Sequence, residues 1–117
     1  MPTAKQAYIM SVLARKHGVI GSVAGRYVGA GYSVTLNHNT RYGTIDIVAR
    51  RGNEVLAIKV FSKSGKISVE DVKVHVEKAK LLKAKPIVVL YGRDVQLSEE
   101  AKKFCDENSV RVRRVIP

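Results

Sequence analysis

The sequence predicts an α/β fold built on a mixed central sheet, and three observations carry that expectation. Helix-period and strand-period segments follow one another in the order α(α)-β-β-β-α-β-α-β along 117 residues. The second and third extended segments are separated by only a short Gly-containing turn, which suits an antiparallel hairpin. The later strands are separated by helices, which suits parallel pairing through right-handed crossovers. At roughly 100–200 residues per domain, residues 1–117 are expected to form one domain.

The elements follow in order. Thr3, with Pro2 before it, can cap a first helix in which Ala7, Met10, Leu13 and Ala14 recur at helical spacing. Gly18 ends or kinks that helix. A second helical stretch, about 22–30, uses Val23, Ala24, Tyr27 and Val28, and Gly29 and Gly31 mark its turn into a strand. Residues 32–37 alternate Tyr32, Val34 and Leu36 against Ser33 and Thr35, as a half-buried strand does. Asn37, His38 and Asn39 have turn chemistry. Residues 44–50 and 54–62 read as apolar strands, joined by Arg50-Arg51-Gly52-Asn53 as a four-residue turn. Ser64-Gly65-Lys66 reads as a loop. Ser68, with Asp71 three residues on, opens a helix whose apolar stripe is Val69, Val72, Val76 and Ala79. Lys73, Glu77, Lys80 and Lys83 lie elsewhere on its surface. Pro86 fixes its exit, and 87–91 is a wholly apolar strand of the kind covered on both faces. Ser98-Glu99-Glu100 starts a last helix to about Glu107. Residues 110–116 form a final strand whose Arg111, Arg113 and Arg114 suit an exposed face or edge.

Charge is the strongest compositional signal. Lys and Arg number 21 against 10 Asp and Glu, for a formal net charge of +11 and a pI near 10.0. A field of that sign attracts polyanions and is the electrostatic footprint of nucleic-acid binding. The bias is uneven: residues 1–67 hold ten basic and two acidic side chains, and no acid precedes Asp46. The plain alternative is a soluble basic surface. No apolar run reaches the ~18 residues of a membrane span, and no membrane partner is expected. The N-terminus lacks the apolar core of a secretory signal, so the cytoplasm is the expected compartment. Cys105 is the one cysteine, which excludes an intrachain disulfide and a cysteine cluster, and it reads as a small buried helix residue.

The α-β-β-β-α-β order resembles the restriction-endonuclease-like core of the PD-(D/E)XK nucleases, here with a C-terminal αβ extension. The likeness is most specific over Gly43-Thr44-Ile45-Asp46-Ile47-Val48-Ala49, a basic turn, and Leu56-Ala57-Ile58-Lys59-Val60-Phe61-Ser62-Lys63. This stretch resembles the heart of archaeal Holliday-junction resolvases. The tail from Ser98 resembles Mrr-type relatives. The resemblance covers about 18–116. It implies an Asp on one hairpin strand, Glu-x-Lys beginning thirteen residues later on the next, and often a Glu on the first helix. Such carboxylates hold a hard cation such as Mg²⁺, which orients water and stabilises charge on the phosphate, while the Lys steadies the anionic transition state.

In this chain Asp46 stands at the Asp position, but Lys59 stands thirteen residues later and Phe61 occupies the family's Lys position. Matching Lys59 to the family Lys instead places Ala57 at the Glu position, so neither register supplies the carboxylate. Glu54 has the opposite strand parity and should face away. Glu70 and Asp71 open the following helix and are the remaining acids that could approach Asp46. Asp46 and Lys59 are therefore remnant catalytic positions, with Lys59 supplying the countercharge that a metal would otherwise provide. No metal or other cofactor is expected, except Mg²⁺ at Asp46 if rearranged carboxylates keep the site active.

Candidate nucleic-acid contacts are Arg41 in the loop before Asp46, Arg50 and Arg51 at the hairpin tip, Lys63 and Lys66 beyond the former catalytic strand, and Lys73 on the helix. For each the plain alternative is a solvated loop or helix face. Tyr42, beside Arg41, is weighed the same way. His17 and His75 have no partner cluster and read as structural or solvent-facing. Gly18-x-x-Gly21 lacks the Gly-Lys-Ser/Thr of a phosphate loop. Three functions follow from these observations. The first is a DNA-binding protein on an inactive nuclease scaffold, acting on double-stranded or branched DNA. The second is an active Mg²⁺-dependent endonuclease. The third is an inactive structural subunit of a nuclease or repair complex. The resolvase likeness also implies a homodimer.

Overall fold

The computed structural model describes residues 3–117. Its element order is α1 (Ala4–Gly29), β1 (Ser33–Thr40), β2 (Gly43–Arg51), β3 (Glu54–Phe61), β4 (Gly65–Ile67), α2 (Val69–Leu81), β5 (Lys85–Tyr91), β6 (Val95–Leu97), α3 (Glu99–Glu107) and β7 (Arg111–Val115). Five strands form the main sheet in the order β1-β2-β3-β5-β7. β1, β2 and β3 pair antiparallel, whereas β3, β5 and β7 run parallel. This is the mixed sheet the sequence predicts. Both parallel links carry a helix, and α2 and α3 lie on one face, as crossovers of the same hand require.

Strand alternation sorts the core into two layers. Ile47, Ala49, Leu56, Ile58, Ile87 and Val89 pack with Val23 and Ala24 of α1. On the opposite face Val48 and Ala57 meet Ala79 of α2, while Val88 and Leu90 meet Val72, Val76, Ala101 and Cys105. The stripe read from the sequence is the buried face of α2, joined by His75. Cys105 is buried, as expected. Ser68 and Ser98 cap α2 and α3 through their side-chain oxygens, and Thr3 forms a full capping box with Gln6. Pro2 lies outside the described residues.

α1 is two helices broken at Gly18, whose φ of 57° and ψ of −130° no helix accommodates. The halves fold back on one another. Met10 touches Gly29, although nineteen residues of straight helix would separate them by roughly 28 Å. Gly21, Gly25 and Gly29, spaced four apart, form the seam. A Cβ on Gly21 would stand 1.9 Å from the Leu13 carbonyl oxygen, so only glycine permits this approach.

The structure corrects several local expectations. Asn37–Asn39 is not a turn: His38 and Asn39 pair with Ile45 and Thr44 inside β1. Asn37 alone departs from strand geometry, with a φ of 51°, which explains why the segment has turn composition. The β1–β2 turn is instead Arg41-Tyr42. The β2–β3 turn has two residues, Gly52 and Asn53, because Arg51 pairs with Glu54. Gly52, at φ 59°, supplies the positive φ that such tight hairpins need. Gly65-Lys66-Ile67 is not a loop but a strand, pairing parallel with β6 in a second, two-stranded sheet. Pro86 lies within β5 rather than at the helix exit.

Candidate functional site

Hairpin register places Asp46 opposite Lys59. The β2–β3 ladder pairs Arg51 with Glu54 and continues to Ile47 with Ile58. One step further the carboxylate of Asp46 bridges the strands. Its Oδ2 accepts the Val60 N–H at 3.0 Å and lies 3.5 Å from the Lys59 ammonium. The Asp46 side chain is 14% exposed and that of Lys59 is 38% exposed, so the acid sits at the bottom of the site and the lysine reaches solvent. Phe61, the next residue on the same face, places its ring centroid 5.4 Å from the Lys59 nitrogen. A cation held at that distance is attracted by the ring's negative face. Lys59 is thus fixed between a carboxylate and an aromatic ring.

Helix α2 roofs the site. His75 is buried, and its Nε2 lies 2.9 Å from the Ala57 carbonyl oxygen, to which it donates. Burial holds its pKa below the ordinary value; Lys59 and Lys78 push the same way, while the Ala57 bond and Asp46 oppose. Lys78 donates to the Thr44 carbonyl at 3.0 Å, tying α2 to the start of β2. Neither residue was singled out as functional from sequence. His75 falls between Val72 and Ala79 on the apolar stripe, which is a signal of burial. No sequence signal marks Lys78.

The donor set does not suit a hard divalent cation. Such ions take several oxygen ligands, but Asp46 contributes the one carboxylate and its Oδ2 already serves an N–H and an ammonium. Among the described residues, no three His, Cys, Asp or Glu side chains gather as a ligand cluster. Glu70 and Asp71 are exposed in the first turn of α2, where they complement its N-terminal dipole. Glu54 faces the opposite side of the sheet, as its parity predicts, and accepts from the Tyr32 hydroxyl at 2.5 Å.

The basic candidates divide between the two ends of the β2–β3 hairpin. Arg41 lies in the β1–β2 turn and Lys63 and Lys66 follow β3, all toward the Asp46 end. Among the described residues, none of the three forms an ion pair. Lys73 lies over the Phe104 ring at 5.8 Å and shares an exposed hollow with Tyr42, Val74 and Glu77. Arg50 and Arg51 stand at the far end. Arg51 is engaged locally: it bonds the Ala30 carbonyl, lies 3.5 Å from Glu54 and stacks on Tyr32 at 4.3 Å.

Comparison with known proteins agrees with this fold. Residues 16–101 match the model of the PD-(D/E)XK superfamily domain. No curated protein sequence matches the chain. Among solved structures, a protein of unknown function superposes with a TM-score of 0.63 at 17% identity, covering 79% of this chain and 54% of its own. A repair endonuclease from Pyrococcus abyssi superposes at 0.59 with 18% identity, covering 95% of this chain and 47% of its own. EndoMS, solved with double-stranded DNA, superposes at 0.58 with 14% identity, covering 100% and 47%. The chain thus spans about half the length of each of these structures.

Proposed function

The chain belongs to the PD-(D/E)XK superfamily, and from that premise we propose that it binds DNA without cutting it. The observation that carries this reading is the Asp46–Lys59 pair, with an ammonium 3.5 Å from the one carboxylate of the site. In-line attack on a phosphodiester in this family needs a cation to hold water and neutralise developing charge. Here a lysine occupies that electrostatic role but can coordinate no water as a Lewis acid. What persists is a nuclease scaffold with a net charge of +11. Its phosphate-contacting surface is the Asp46 end of the hairpin: Arg41, Lys63, Lys66 and Lys73. Contacts of this kind position a duplex but read no sequence. Double-stranded or branched DNA is the ligand class, supported by the resolvase likeness and by the DNA-bound state of one structural neighbour.

The test reads binding and integrity together. Labelled four-way junction, duplex and single strand are titrated at two salt concentrations, with Mg²⁺ or Mn²⁺ present. The expected result is a salt-sensitive shift of intact DNA. Four phosphate contacts would give a slope of log K against log salt of about −3 to −4. Cleavage that is lost in chelator and in Asp46→Ala would overturn the inactive reading. A folded protein with no affinity for any of these DNAs would overturn DNA binding and favour a subunit role in a larger nuclease complex.

A further inference from the structure

The opposite face of the sheet carries a second concentration of positive charge that the Asp46 site does not use. The second half of α1 packs over β2, β3 and β5 but leaves a cleft of about 760 Å³ between itself and β7, lined among others by Arg26, Tyr27, Arg51, Glu54, Arg111 and Arg113. Register explains the arginines. Arg111 pairs with Ile87 and Arg113 with Val89, and both partners belong to the α1-side core. Both guanidinium groups therefore stand on the α1 face, where a fully covered sheet would carry apolar side chains.

The acid in this cleft is already committed. Glu54 takes the Tyr32 hydroxyl, Arg51 and Lys85. Among the described residues, the guanidinium groups of Arg26, Arg111 and Arg113 form no ion pair and no hydrogen bond. Their charge is permanent, since guanidinium does not lose its proton in proteins. Burial raises the pKa of the Tyr27 phenol, against the opposing field of Arg113 and Arg111. Arg111 and Arg113 stand roughly 6.5 Å apart along an extended strand. That repeat suits a polyanion with charges in series better than one small anion. Tyr27 and Tyr32 also line the cleft, half-buried, with their rings edge to face at 5.7 Å and Arg51 stacked on Tyr32. Arginines along a groove are an element of single-strand recognition, and a cleft between a helix and a strand admits one strand more readily than a duplex.

We propose that the cleft between α1 and β7 is a second nucleic-acid site, in which Arg26, Arg111 and Arg113 hold the phosphates of a single strand. The site stands independently of duplex binding at Asp46, and the two lie on opposite faces of the sheet. A protein with both would hold a duplex and a single-stranded arm at once.

The experiment is a backbone-amide NMR titration of the full chain with oligothymidylate, and separately with a short duplex. Oligothymidylate is expected to shift amides of β7 and of Arg26 and Tyr27, and the duplex those around Lys63–Ile67. The triple variant R26Q/R111Q/R113Q should bind oligothymidylate at least about tenfold more weakly, with duplex affinity little changed. R111K/R113K keeps the charge but loses the planar fork, and should fall between the two. Cleft amides unmoved by oligothymidylate, or unchanged affinity in both variants, would overturn the proposal. So would poly-glutamate of equal charge displacing the oligonucleotide equally well, which would mark a site for an acidic protein segment. Loss of duplex binding with cleft shifts retained would overturn the proposed function and leave this site standing.

Discussion

Lys59→Glu is the substitution that most directly tests the ion-pair account, because it restores a carboxylate thirteen residues after Asp46. At 3.5 Å, opposite charges attract by about 1 kcal/mol in water and about 5 kcal/mol at an effective dielectric of 20. Lys59 is more than a third exposed, so screening brings the net value to about 1–2 kcal/mol. Lys59→Gln loses that attraction. Lys59→Glu also adds repulsion of similar size, for a total cost of about 2–4 kcal/mol in chelator, or roughly 8–16 °C in Tm. The new pair of carboxylates is a site for a hard cation. A metal at a hundred times its Kd returns about 2.7 kcal/mol. Thermal unfolding at pH 7 in chelator and in Mn²⁺ is the assay. The wild type should unfold at the same temperature in both, and Lys59→Glu should be low in chelator and recover in Mn²⁺. Adding Phe61→Lys completes the family's Glu-x-Lys, and metal-dependent cleavage of duplex DNA is then expected. The reasoning fails if Lys59→Glu is no less stable than Lys59→Gln in chelator, or if it gains nothing from metal.

Three further outcomes are expected. Burial lowers the pKa of His75 in the fold, whereas in the unfolded chain it takes up a proton near pH 6.5. Stability is thus full above that pH and drains as pH falls below it, by up to about 1.4 kcal/mol per unit; His75→Phe should flatten this slope in denaturant titrations between pH 7 and pH 5, and an unchanged slope would remove His75 as its cause. Gly21→Ala forces a methyl group to within 1.9 Å of the Leu13 carbonyl and should cost about 1–3 kcal/mol despite alanine's better helix propensity; a stabilised variant in chemical denaturation would show that the two halves of α1 do not pack as described. Duplex affinity should be the same in chelator and in Mg²⁺ at constant ionic strength, and Asp46→Asn should tighten it several-fold in the gel shift, whereas a requirement for metal would contradict the ion-pair reading.

The pairing of Asp46 with Lys59 was legible in the sequence, but through family spacing rather than turn chemistry. A four-residue turn at 50–53 pairs residue 49 with 54 and would set Asp46 opposite Ala57. The two-residue turn pairs Arg51 with Glu54 and moves the partner to Lys59. A shift of two residues keeps side chains on their faces, so hydrophobic alternation cannot tell the registers apart. The long amphipathic and apolar segments were legible for the usual reason, that burial imposes a period. β4 and β6 were not, since three-residue strands have no period to read. The Gly21-Gly25-Gly29 seam was visible as a spacing of four but has meaning only once α1 folds back. The arginine cleft was hidden by topology: residues 68–117 carry little net charge, yet β7 brings their arginines beside α1.

Local charge explains why a lysine at position 59 changes more than catalysis. An Asp, a Glu and a Lys leave a nuclease site at about −1, which repels phosphate until a divalent cation raises it to about +1. Here Asp46 and Lys59 sum to zero with no cation, and Lys78 stands nearby on α2. The site therefore presents no electrostatic barrier to a phosphate backbone at any metal concentration. In the proposed account the same lysine also closes the chemistry, because it lies against the carboxylate oxygen that a metal would need. On the proposed reading, binding that is independent of metal and the absence of cleavage are one consequence of a single side chain. Phe61 completes the exchange: at the position of the family's second cation it supplies a ring face, which holds the Lys59 ammonium toward Asp46 instead of offering a competing positive charge.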